Sequence, residues 1–265
     1  MQWEAVVLGI AQDGGVPHIG CTCIRCEKAA NGRRIHVACI ALTDGTRVFF
    51  LDATPDFPTQ LRMMGVTRPD GIFLTHAHMG HVTGLLYLGR EALATRGVAI
   101  HGTDSMHAYL RANAPWRDLE VQGRVELLPN ERVDLGGLSV RSFQVPHRAE
   151  HTDTVGYIVE GPRASLLFLP DIDSWDAWDT DVRDAVSAVD FAFLDATFYS
   201  DDELPGRAPQ EVPHPRVTDT MDRLAGLEDR VRLIHLNHTN RLLTDDSPAR
   251  DRGFRLAEEG ERYAL

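Results

Sequence analysis

Three histidines fall within six residues in Thr75-His76-Ala77-His78-Met79-Gly80-His81, directly after the apolar run Gly71-Ile72-Phe73-Leu74. Neutral imidazole is the commonest protein metal ligand, and a first-row metal takes several such nitrogens at about 2 Å. A helix would turn His76 and His78 to different faces. A loop leaving a strand end can instead aim all three rings at one point, and a helix starting early would put His78 and His81 on one face. The competing reading, three unrelated surface histidines, leaves this density unexplained.

A second cluster, Cys21-Thr22-Cys23-Ile24-Arg25-Cys26, has C-x-C-x2-C spacing. Thiolates so close in sequence can grip one zinc from a tight turn, at about 2.3 Å each. A tetrahedral structural site then needs a fourth ligand from elsewhere. The alternative is three ordinary thiols in a reducing compartment. Cys39, alone in an apolar run, reads as a buried core thiol.

The elements that must position these groups follow from periodicity and turn signals. Strands are expected over 6–10, 36–42, 47–51, 71–74, 98–102, 138–145, 154–159, 165–169, 190–195 and 231–234. Helices are expected over 58–64, 84–93, 104–112, 175–188 and 217–224, with a short helix and a tail within 253–263. This alternation indicates α/β layering in a single domain spanning 1–265. Several strands end at residues capable of chemistry: Asp52, His147, Asp171 and His235. Strand ends are rigid platforms, so these positions count for more than their residue type alone. Asp52 is a candidate acceptor orienting a ligand histidine, and Asp56 reads as a helix cap. The acid- and proline-rich stretch 201–215 reads as a long loop at a binding edge, with His214 at its exit. His101, His107 and His151 are assigned no role in the chemistry.

The chain's 265 residues carry a formal charge of −12, which disfavours nucleic acid or an anionic membrane as partner. A small molecule is the expected partner, and a homodimer is compatible with the composition. No apolar run approaches the roughly 18 residues needed to span a bilayer. The N-terminus lacks the basic segment of a secretory signal, so a cytoplasmic location is expected.

These residues resemble the metallo-β-lactamase fold superfamily, whose signature T-H-x-H-x-D-H is similar to residues 75–81. The resemblance covers nearly the whole chain and implies a four-layer αββα sandwich with metals at one edge. It implies His147, Asp171 and His235 as the remaining active-site ligands. Two relatives are closer. The chain is similar to the pyrroloquinoline-quinone biosynthesis protein B family in Ala53-Thr54-Pro55-Asp56, Leu169-Pro170-Asp171-Ile172-Asp173-Ser174-Trp175 and His235-Leu236-Asn237-His238-Thr239-Asn240. It also resembles the cyclic-phosphate phosphodiesterase of phosphonate degradation, which shares the cysteine cluster and the histidine signature. That likeness implies His238 as the fourth ligand of a structural zinc with Cys21, Cys23 and Cys26, and His214 as proton donor to a leaving group.

The chain departs from both relatives at Gly80, where each has an aspartate. It also has His76 and His78, which protein B members typically lack. The resemblance therefore implies one complete metal position from His76, His78 and His147 with Asp171. A second, from His81, His235 and a bridging Asp171, lacks its own carboxylate unless a group such as Asp13 supplies one. The expected cofactors are structural zinc and one or two active-site divalent ions (zinc, manganese or iron). The leading functional expectation is a metal-dependent hydrolase acting on a phosphodiester, lactone or thioester, with Asp171 and His214 as catalytic residues. An iron-dependent oxygenase and a non-catalytic metal carrier or sensor are the alternatives.

Overall fold

The computed structural model describes residues 2–203 and 211–265. Among them, two seven-stranded sheets form. The first runs in the order β14-β1-β2-β3-β4-β5-β6. Its strands are β1 (Glu4–Gly9), β2 (Cys39–Thr43), β3 (Val48–Leu51), β4 (Gly71–Phe73), β5 (Val98–His101), β6 (Val125–Leu128) and β14 (Arg262–Ala264). The second runs β13-β12-β11-β10-β9-β8-β7. It comprises β7 (Arg132–Asp134), β8 (Ser139–Gln144), β9 (Val155–Glu160), β10 (Ser165–Leu169), β11 (Phe191–Asp195), β12 (Val231–Ile234) and β13 (Arg255–Leu256).

Side-chain alternation along the strands builds the layers. In β1, Ala5 and Val7 join the core between the sheets while Val6 and Leu8 join the outer one. In β3, Phe49 and Leu51 face inward and Val48 and Phe50 outward. Helices α2 (Phe57–Met63), α4 (Asp104–Ala112) and α5 (Ala114–Val121) cover the outer face of the first sheet through Phe57, Leu61, Met106, Leu110 and Leu119. Helices α6 (Val182–Ser187), α7 (Val217–Arg223) and α8 (Ser247–Arg250) do the same for the second through Val182, Val186, Val217, Met221 and Ala249. The result is the αββα sandwich. Two short helices remain, α1 (Ile24–Ala30) beside the cysteines and α3 (Met79–Val82) inside the histidine signature. Among the described residues, no helix is long and apolar enough to cross a membrane.

Parallel pairing sets the site. β3 runs parallel to β4, and β10, β11 and β12 run parallel to one another. Their C-terminal ends therefore lie along common sheet edges, and each delivers a polar residue there: Asp52, Thr75, Asp171, Asp195 and His235. The Tyr157 hydroxyl donates to the Leu74 carbonyl at 2.6 Å, and the Val155 amide to the Thr75 carbonyl at 3.0 Å. These bonds join the two sheets directly beneath the histidine loop.

Several elements differ from sequence expectation. The helix expected over 84–93 is a 3-10 helix, Thr83–Leu88. Of the helix expected over 175–188, only α6 forms, opening at Asp181, whose carboxylate accepts the Arg183 amide. No helix forms within 253–263; that stretch supplies the edge strands β13 and β14. Asp56 sits at the N-cap position of α2 but makes no side-chain cap, because its carboxylate accepts the Val37 amide at 2.9 Å. Part of the expected 201–215 loop, residues 204–210, lies outside the described residues.

One ion pair ties the C-terminal segment to the strand-connecting loop. Glu259 Oε1 accepts the His36 amide at 2.7 Å and lies 3.1 Å from His36 Nδ1. The bond to Glu259 raises the His36 pKa. Burial pushes the Glu259 carboxyl up, but the bonds from His36 outweigh it and hold the carboxyl below its usual range. The His36 contribution to stability is full below about pH 6.5 and fades as pH rises through its raised pKa. The Glu259 contribution is present above about pH 4.5 and is lost as pH falls through its lowered pKa. The pair thus stabilises most between these limits. Melting temperature measured from pH 5 to 9 is expected to fall less steeply above pH 6.5 in Glu259→Gln than in the native chain; parallel curves would contradict this.

Candidate metal centre

The histidine signature leaves β4 as an extended turn. His78 has extended backbone angles at the N-cap of α3, and His81 lies in that helix three residues on. The rings of His76, His78 and His81 converge, with centroids of His76 and His78 4.5 Å apart and of His76 and His81 4.2 Å apart. His147, after β8, brings its Nε2 to 3.1 Å from His78 Nδ1. Asp171, after β10, places Oδ2 at 3.4 Å from His76 Nε2 and Oδ1 at 3.3 Å from His147 Nδ1. Potential ligand atoms of His76, His78, His147 and Asp171 all lie within 4.8 Å of one another. A second group forms beside it. Asp13 Oδ1 lies 3.3 Å from His81 Nε2 and 3.5 Å from His235 Nε2, and His235 Nε2 lies 4.0 Å from Asp171 Oδ2.

Hydrogen bonding behind the rings fixes which nitrogen faces inward. The Thr75 hydroxyl donates to Asp52 at 3.0 Å, so its oxygen receives the Nδ1 proton of His76 at 3.0 Å. Asp52 also accepts from His81 Nδ1 at 2.7 Å. In the other sheet, Thr197 donates to Asp195 at 2.7 Å and its oxygen lies 3.1 Å from His235 Nδ1. His76, His81 and His235 therefore turn Nε2 into the site. Burial would lower the His81 pKa, but Asp52 and Asp13 more than compensate and raise it well above the usual imidazole value. Such partners hold ligand histidines in the right tautomer and orientation.

The inward atoms have no hydrogen-bond partner. His76 Nε2, His81 Nε2, His235 Nε2, Asp13 Oδ1 and Asp171 Oδ1 are all buried and unsatisfied. Each such atom costs about 1–3 kcal/mol unless something pairs with it. Ligands about 2 Å from one tetrahedral ion sit roughly 3.3 Å apart, the spacing seen here. The donor set fits a divalent metal. Burial lowers the pKa of His76 and, less completely, of His78, favouring the neutral ligand form. Burial would raise the Asp171 carboxyl, but the surrounding imidazoles of His147, His214 and His235 hold it well below the carboxylate range.

Backbone strain marks the same place. Asp52 and His235 both have positive φ, 71° and 65°. Non-glycine residues are seldom held there without support from the surrounding structure.

His214 enters from the far side, where its Nδ1 lies 2.8 Å from Asp195 Oδ2 and its Nε2 lies 3.5 Å from Arg148 Nη2. Burial lowers its pKa, but Asp195 and Asp171 more than compensate and raise it overall. Asp195 was not singled out from sequence as a site residue. Its signal was an aspartate ending an apolar strand, as Asp52 does. Asp173, 2.8 Å from His147 Nδ1, was quoted only within a motif.

The cysteines form a separate group about the N-terminus of α1. Ligand atoms of Cys21, Cys23, Cys26 and His238 lie within 4.8 Å of one another. Cys26 Sγ is 3.5 Å from His238 Nδ1 and accepts the His18 amide at 3.3 Å. Burial pushes the Cys26 thiol up to about 11, a cost that zinc binding would offset by taking the thiolate. Cys39 is buried away from this group, with its thiol against the Asp52 carbonyl. His101 and His107 lie outside both groups; His101 stacks on Phe73 and contacts the Pro129 carbonyl.

Residues 47–238 match the family model described as a β-lactamase superfamily domain. Coenzyme PQQ synthesis protein B of Gluconobacter oxydans is 28% identical, over 99% of this chain and 98% of its own. The protein of the same name from Pseudomonas syringae pv. syringae is 30% identical over 92% of each chain. Among solved structures, Zn2+-bound PqqB from Methylobacterium extorquens superposes with a TM-score of 0.85 at 24% identity, covering 99% of this chain and 100% of its own. A diphosphatase of the PhnP family superposes with a TM-score of 0.75 at 22% identity, covering 100% and 98%.

Proposed function

The chain belongs to the β-lactamase superfamily, and from that premise we propose that it is a metal-dependent hydrolase of ester-type bonds: phosphodiester, lactone or thioester. The observation that carries this reading is the buried set of inward-facing nitrogens and carboxylate oxygens without hydrogen-bond partners. His76, His78, His147 and Asp171 would hold one divalent ion, zinc, manganese or iron, and Asp171 would also face a second beside His81 and His235. A metal bound there supplies Lewis-acid polarisation and lowers the pKa of water from 15.7 to about 7.

The chain's own residues do the rest. Asp52 and Asp195, through Thr75 and Thr197, keep the ring protons on the outer nitrogens. Asp195 accepts the Nδ1 proton of His214, and Nε2 faces Arg148, which can only donate; acting as acid would require a second proton on Nε2, with Arg148 turned aside. Replacing His214 with alanine is expected to lower kcat about 10²–10⁴-fold for substrates with basic leaving groups. The loss is expected to shrink for a p-nitrophenolate leaving group, which departs without protonation. A series of aryl esters with graded leaving groups measures this, and an equal loss across the series would remove His214 from the proton-donor role.

Cys21, Cys23, Cys26 and His238 are the proposed ligands of a structural zinc. Free thiols in that number suit a reducing, cytoplasmic compartment. The oxidative reading draws on whole-length similarity to coenzyme PQQ synthesis protein B. Oxygen consumption by the iron-loaded protein would favour it.

A further inference from the structure

We propose that Asp13 is the carboxylate ligand of the second metal position, delivered by the loop after β1 into the space that Gly80 leaves open. This rests on the metal site proposed above and adds a ligand that the histidine signature does not contain. The similarity to T-H-x-H-x-D-H places an aspartate at position 80, where this chain has glycine. In the structure that space is taken. A Cβ on Gly80 would stand 2.1 Å from Asp13 Oδ1 and 2.7 Å from both Asp13 Cα and Cγ. No side chain at position 80 can coexist with Asp13 where it lies. One carboxylate occupies this corner, and here it comes from the N-terminal loop.

The chemistry at the corner calls for a cation. With its Nδ1 proton held by Asp52, His81 turns Nε2 to this corner, and His235 does so through Thr197. Asp13 Oδ1 approaches these two nitrogens at 3.3 and 3.5 Å and is itself buried without a hydrogen-bond partner. Two imidazole nitrogens and a carboxylate oxygen at this spacing are held together by positive charge among them, either a metal ion or a proton on His81. The competing account is a doubly protonated His81 bridging Asp52 and Asp13 with no metal.

The main chain registers the two loops involved. The Gln12 amide donates to the Leu236 carbonyl at 2.9 Å, the Leu236 amide to the Ile10 carbonyl at 2.8 Å, and Asn237 Nδ2 to Gln12 Oε1 at 2.6 Å. Each of these bonds joins the residues flanking Asp13 to those flanking His235. These bonds fix the main chain beside Asp13 against the strand end that carries His235.

Metal equivalents per chain, measured by elemental analysis after loading with Zn2+ and removal of free ion, test the assignment without any assay. The native chain is expected to hold three: one at the cysteines and two at the histidines. Asp13→Ala is expected to lose one, with an unchanged circular-dichroism spectrum. Gly80→Ala, whose methyl displaces Asp13, is expected to lose the same one. Equal metal content in the native chain and Asp13→Ala would overturn the proposal and leave the hydrolase reading intact: at three equivalents the position fills without Asp13, and at two the ion pair is favoured. A native chain with metal at the cysteines alone would overturn the proposal and the hydrolase reading together.

Discussion

His76→Ala is expected to empty the first metal position and to lower kcat/KM at least roughly a thousandfold on any ester the native protein hydrolyses. His76 is buried at the end of β4, its Nδ1 fixed by Thr75 and its Nε2 3.4 Å from Asp171. Alanine removes one ligand and leaves Asp171 Oδ2 without the imidazole nitrogen that faces it at 3.4 Å. Metal-derived charge stabilisation amounts to several kcal/mol, and each 1.36 kcal/mol is tenfold in rate. The fold is expected to survive, because the substitution removes a buried polar group whose outer partner, Thr75, keeps its bonds to Asp52. Metal content, kcat/KM and melting temperature measured together decide the matter. Unaltered activity with an unaltered metal count would show that His76 is not a ligand.

The second large effect is expected at the cysteines. Changing Cys21, Cys23 and Cys26 together to serine is expected to remove one zinc and to loosen the active-site edge. Structural zinc contributes about 10–16 kcal/mol to folding of small zinc peptides. In this chain a large apolar core stands independently of the site, so the penalty is expected to concentrate locally rather than unfold the sandwich. Asp13 lies eight residues before Cys21, and His235 three residues before His238. The Arg25 guanidinium, on α1, donates to the His238 carbonyl and to Thr244 Oγ1. Loss of the zinc therefore frees both loops that frame the second metal position. Hydrogen exchange is expected to quicken at residues 10–26 and 235–240, while β9, β10 and β11 keep their protection. Unchanged exchange at residue 235 after zinc loss would show the two centres to be independent.

Much of this arrangement was legible in the sequence because its signals are local. Residues 75–81 carry their spacing with them, and the apolar runs before Asp52, Asp171 and His235 identify strand ends. Less legible was whatever depended on partners distant in the chain. Gly84 packs so closely on the loop after β3 that a Cβ there would lie 2.4 Å from the Thr54 carbonyl oxygen. That contact accompanies a 3-10 turn, and six residues are too few for period 3.0 to be told from 3.6. Trp175 and Trp178 fall within the helix expected over 175–188, but their indole nitrogens reach Thr220 and the Gln144 carbonyl from irregular backbone. The C-terminal segment finds its conformation by pairing: β13 on β12, and β14 on β1, more than 250 residues away in sequence. Asp195 shows the same limit, since its role depends on His214 arriving from another element. Asp13 was visible as a carboxylate in a glycine-rich loop, but its fit to the space at Gly80 emerges only in three dimensions.

Hydrolysis at the metal site is tested most directly by turnover in H2(18)O with oxygen excluded. Native protein loaded with zinc or manganese would be offered an aryl phosphodiester, a lactone and a thioester. Cleavage of at least one is expected, with 18O from water in the product and no turnover in His76→Ala. No cleavage of any of the three, together with oxygen-dependent turnover by the iron-loaded protein, would contradict it and move the assignment to oxidative chemistry.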